Sequence, residues 1–123
     1  MSYTLTVAPV IELPIKFSTS DSDQNQIGKK TEFFFHLRAK RMDQAALRAA
    51  MNDTDLPTKD LLQQQIVGWR GQRLVQNGSG EMAEFTAEAF DCMLSLVGIE
   101  QLILNAYLRA VVQADSLAEK AKN

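Results

Sequence analysis

Two short stretches of alternation, broken only at Phe34, limit what this chain can fold into. Ile11, Leu13, Ile15 and Phe17 are separated by Glu12, Pro14 and Lys16; Phe33, Phe35, Leu37 and Ala39 are separated by Phe34, His36 and Arg38. A period of two places each apolar set on one face of a strand. Together they predict an N-terminal antiparallel β-hairpin with one apolar face, which is marginal in water until helices cover it. Pro14, on the polar set, cannot donate to a ladder, so its strand is expected at a sheet edge. Residues 18–30 between the two stretches are rich in Ser, Asp, Asn and Gln and read as a long mobile loop.

The rest of the chain, 42–123, reads as mainly helical. Asp43 is placed as an N-cap, with Met42 before it, for a helix running to about Met51 and stopped by Asn52-Asp53-Thr54-Asp55. A second helix is expected from Pro57 or Thr58, with Leu62, Ile66 and Trp69 on one face and Gly68 and Gly71 at its end. Between Arg73 and Phe85, the string Asn77-Gly78-Ser79-Gly80 predicts a small second hairpin. Thr86 then caps a third helix, with Phe85 and Phe90 at the two hydrophobic-staple positions, and Gly98 ends or kinks it. In the last helix Ile99, Leu102, Ile103, Ala106, Tyr107, Ala110, Ala114 and Leu117 form one stripe. The fold class is therefore α+β: a hairpin region, 1–41, packed on about four helices. All 123 residues suit a single domain, without repeat or linker.

Composition narrows the function. With 46% hydrophobic and 23% charged residues, the chain is ordinary for a globular protein. A single cysteine, Cys92, excludes an internal disulfide framework. No apolar run reaches the roughly 20 residues of a membrane span, and the N-terminus lacks the pattern of a signal peptide, so a cytoplasmic protein is expected. A formal net charge of −2 argues against a duplex nucleic-acid partner, although Lys29, Lys30, Arg38, Lys40 and Arg41 cluster in sequence.

Candidate chemistry is sparse. Asp21, Asp23, Asn25 and Glu32 occupy positions one, three, five and twelve of an EF-hand loop, but Gln26 stands where the sharp turn needs glycine and the upstream flank is strand-patterned. His36, the one histidine, has no Cys or carboxylate at ligand spacing and reads as a strand-face residue. Cys92, beside Asp91 and without a cationic partner in sequence, reads as a buried, inert thiol. Gly78-Ser79-Gly80 lacks the spacing and lysine of a phosphate-binding loop. Asp53/Asp55 and Glu81/Glu84 sit in or beside turns. No catalytic, cofactor-binding or metal-ligating residue is assigned, and no enzymatic activity is expected.

Surface for protein contact remains. Phe34 lies on the otherwise polar side of its strand. Leu104, Leu108, Val111 and Val112 widen the apolar arc of the last helix beyond one stripe, and such an arc is buried in its own core, against a partner, or against a second copy in a homo-oligomer. These five residues are the candidate protein-binding positions.

The order of features in residues 60–123 carries a resemblance. Val67-Gly68-Trp69, a short Gly-containing hairpin, Phe85-Thr86 opening a helix, and Ala106-Tyr107 in a long helix ending in Lys120-Ala121-Lys122-Asn123 resemble the small tail assembly chaperones of long-tailed bacteriophages. The resemblance implies a protein that binds the long, aggregation-prone tape measure protein before the tail tube polymerises and helps recruit tube subunits. It also implies work in the bacterial host cytoplasm and absence from the mature virion. The family has no fixed functional residues to carry over. Related chaperones often have a longer form made by ribosomal frameshifting, and Ala121-Lys122-Asn123 permits the slippery spelling A AAA AAC. Two alternatives stay open: a structural tail or head–tail connector subunit, and a small nucleic-acid-binding regulatory protein.

Overall fold

The computed structural model describes residues 3, 8–23 and 26–111, with side chains outside 21–29. Its elements follow the order β1 (Val10–Asp23), β2 (Gln26–Lys40), α1 (Gln44–Asn52), α2 (Thr58–Gln65), β3 (Ile66–Arg70), α3 (Ala87–Leu94) and α4 (Ile99–Val111). The strands make an antiparallel sheet in the order β1-β2-β3, and the fold is α+β. Val112, Ala114, Leu117 and the terminal Ala121-Lys122-Asn123 lie outside the described residues.

The alternation determines how the hairpin pairs. Ile11 stands opposite Ala39, Leu13 opposite Leu37 and Ile15 opposite Phe35, and all six side chains are buried on one face. Slipping the register by one residue would turn this whole set to solvent. Over that face lie Leu62 of α2, Phe90 and Met93 of α3, and Ile99, Ile103 and Tyr107 of α4. At the far end of the apolar run Phe17 stacks on Phe33 with ring centroids 5.2 Å apart. β1 forms one border of the sheet, as Pro14 requires.

The hairpin is longer than its apolar pattern. Residues 18–30 are not a loop: the ladder continues through Ser18↔Glu32, Thr19↔Thr31 and Ser20↔Lys30 to Asp23↔Gln26, with an irregularity after Asp21. The extension carries no apolar alternation because main-chain hydrogen bonds, which any side chain permits, hold it together. A backbone committed to this ladder leaves no helix–loop–helix frame for calcium. Millimolar calcium is therefore expected to leave the melting temperature unchanged, and a clear rise would overturn this reading of the Asp21–Glu32 segment.

The second helix also ends earlier than its spacing suggests. α2 stops at Gln65, and Ile66–Arg70 cross into the sheet, with Trp69 opposite Leu37 and Ile66 opposite Ala39. A β-branched pair and an aromatic favour the strand, Gly68 disfavours helix, and the open edge of β2 supplies the partner. Gly71 then reverses the chain at a φ of 74°, a region open to glycine at no steric cost.

The caps are as the sequence marks them. Asp43 accepts from the Ala46 amide at 2.7 Å, and Thr86 accepts from the Ala89 amide at 3.0 Å. Gly98, at a φ of 90°, separates α3 from α4. α1 buries no residue, whereas α2 is tied to α3 by Lys59 and Gln63, both bonded to Asp91.

Candidate protein-binding faces

Two of the elements that carry the resemblance, Val67-Gly68-Trp69 and Phe85-Thr86, meet in one packed unit. The Trp69 ring stands edge-on to Phe85 at 5.1 Å, and its Nε1 donates to the Ala83 carbonyl at 3.1 Å. Phe85 in turn lies against Phe90, with centroids 5.7 Å apart, as a staple around Thr86 should. The small hairpin between them closes through Asn77 N–H to Glu81 O at 2.8 Å and Ala83 N–H to Val75 O at 3.0 Å. The Asn77 side chain accepts from the amides of Ser79 and Glu81 inside the turn.

Beneath this hairpin sits Gln72, 4% exposed. Its Oε1 accepts from the amides of Leu74 and Val75, at 2.9 and 2.8 Å. Its Nε2 donates to the carbonyls of Val75 and Ala83, at 2.9 and 3.2 Å. Nothing in the sequence singles out this glutamine, since a polar residue after a glycine is ordinary in a loop. Shallow clefts flank the unit, one lined by Trp69, Arg73 and Met82, the other by Val75, Ala89 and Cys92 with Glu84 and Glu88 at its margin.

The five candidate contact residues do not form one surface. Phe34 is 56% exposed on the outer sheet face, edge-on to His36 at 5.2 Å. The described part of α4, with Leu104, Leu108 and Val111, lies on the other side of the sheet. Leu104 is buried and Val111 packs against the core, so these two belong to the fold; the arc is wide because α4 meets β1, α2 and α3 together. Leu108 is half-buried, and Val112 lies outside the described residues. Cys92 is exposed rather than buried, because α3 turns Phe90, Met93 and Leu94 inward and leaves the intervening positions to solvent. Periodicity did not mark two of the most exposed large apolar residues, Val97 at 97% in the α3–α4 connection and Met51 at 49% on α1.

Among the described residues no group of three or more histidine, cysteine, aspartate or glutamate side chains could hold a metal ion, and no helix is long and apolar enough to cross a membrane. No family model, curated protein or solved structure matches the chain.

Proposed function

We propose that this chain is a tail assembly chaperone of a long-tailed bacteriophage, which holds the tape measure protein in the host cytoplasm before the tail tube forms around it. The observation that supports this reading is the Trp69–Ala83–Phe85 unit. Two motifs of the resemblance, Val67-Gly68-Trp69 and Phe85-Thr86, pack on one another across the small hairpin between them, so their order has a physical reason beyond composition. Exposed apolar side chains at Phe34, Met51 and Val97 suit a protein whose work is contact with other proteins. Tube subunits are a second partner in this reading, and no catalytic step is involved.

Co-expression with overlapping fragments of the tape measure protein tests the proposal. At least one fragment that precipitates alone should stay soluble with this chain and co-purify with it, while purified virions should lack the chain. Failure to rescue any fragment, or recovery of the chain from virions in ring-like stoichiometry, would put the structural-subunit alternative in its place.

A further inference from the structure

The outer face of the sheet has its own chemistry. Phe34 stands directly across the ladder from Lys16, His36 lies between Pro14 and Arg70, and Arg38 lies between Glu12 and Gly68. Lys40 continues the same side of β2. The stem of Arg38 runs across Gly68, within 3.6 Å of where a β-carbon would stand. One ion pair forms here, Arg70 to Glu12 at 3.1 Å. Lys16, Arg38 and Lys40 are exposed and make no ion pair with a described residue. The face thus presents an open aromatic ring with Lys16 across from it and Arg38 and Lys40 further along β2. Its cations outnumber its carboxylates, of which Glu12 is paired and Glu32 stands next to Phe34 on the same side.

We infer that this face seats an acidic amphipathic helix of the escorted protein, with Phe34 meeting an apolar side chain and Lys16, Arg38 and Lys40 meeting its carboxylates. The inference rests on the chaperone reading and names the chemistry of its partner. Charge complementarity requires an anionic occupant. Side chains two apart on a strand are spaced by about 7 Å, comparable to the roughly 6 Å between carboxylates at i and i+4 of a helix. A nucleic-acid strand fits less well, because Glu12 and Glu32 stand on the same face and would meet a backbone charged at every nucleotide.

The test uses the full chain and three labelled probes: a synthetic helix of Leu and Glu in heptads, its Leu/Lys counterpart, and single-stranded oligo-dT. In fluorescence anisotropy the Leu/Glu helix should bind, the Leu/Lys helix should not, and added salt should weaken binding. The double variant K16E/R38E should lose at least about tenfold in affinity, and F34S a smaller but measurable share, with unchanged melting because these side chains are exposed. If K16E/R38E binds like the wild type, if oligo-dT binds in place of the Leu/Glu helix, or if neither binds, the inference fails. Repeating the fragment rescue with K16E/R38E separates the two readings. Undiminished rescue sinks this face and leaves the chaperone standing; Leu/Glu binding at this face without any fragment rescue does the reverse.

Discussion

Replacing Gln72 with alanine should cost roughly 2 kcal/mol of stability, since leaving a buried donor unpaired costs about 1–3 kcal/mol and one buried and one part-buried amide are left so. The carbonyls of Val75 and Ala83 each keep a second donor, from Ala83 N–H and Trp69 Nε1. The amides of Leu74 and Val75 are left without a partner among the described residues. Gln72→Leu restores volume but not the Oε1 acceptor that both amides share, so it should be no better. Trp69 is the single tryptophan, which gives a local readout. Its emission should shift to the red at a lower urea concentration than the loss of helical circular dichroism, because the latch holds the loop that carries Ala83 beneath the indole. An unchanged urea midpoint in both variants would mean that water replaces the glutamine and that the latch contributes little.

Tyr107→Ala should be the most damaging single change, at roughly 4 kcal/mol, the usual cost of deleting a fully buried aromatic ring. Tyr107 has no exposed surface, and its hydroxyl donates to the Lys40 carbonyl at 2.8 Å, tying α4 to the end of β2. Tyr107→Phe keeps the ring and should cost about 1 kcal/mol, the net value of such a bond. The phenol also has a pH signature. Burial pushes its pKa from 10.0 up to about 12, against the opposing pull of the Arg41 charge. Stability from holding the neutral phenol is then intact below pH 10 and lost as the pH rises through about 12. In alkaline titration of the unfolding midpoint, Tyr107→Phe should lose this step. A wild-type profile matching that of Tyr107→Phe would show that the hydroxyl is not held as described.

What could be read from sequence was what periodicity or a cap encodes. The hairpin register follows from apolar residues at every second position, and α3 begins where Thr86, Phe85 and Phe90 place it. β3 was not legible because Leu62, Ile66 and Trp69 fit a helical stripe as well as Ile66-Val67 fits a strand, and the open edge of β2 that decides between them is a tertiary fact. The distal hairpin escaped for the opposite reason: its sequence shows no apolar alternation, and its ladder is a matter of backbone pairing. Among the candidate contact residues, Phe34 stood out as an apolar side chain on a polar face and is exposed. Leu104 and Val111 turn toward the core, which a helical wheel does not tell, since it shows how wide an apolar arc is but not how many layers cover it. Lys16 joins Phe34, Arg38 and Lys40 on one face only once β1 and β2 are in register, although Arg38 and Lys40 already cluster in sequence.

Pro14 has a further consequence for how this sheet meets other chains. A border strand presents a row of main-chain donors and acceptors onto which a foreign strand can add, and addition repeated from molecule to molecule is the route to fibrils. Between Ile11 and Phe17 that row is interrupted at its middle by a residue with no N–H, flanked by the charges of Glu12 and Lys16. A partner can lie across the face of this sheet, but a strand cannot extend it in register past Pro14. That one residue gives the border strand a barrier against templating the polymerisation of other chains.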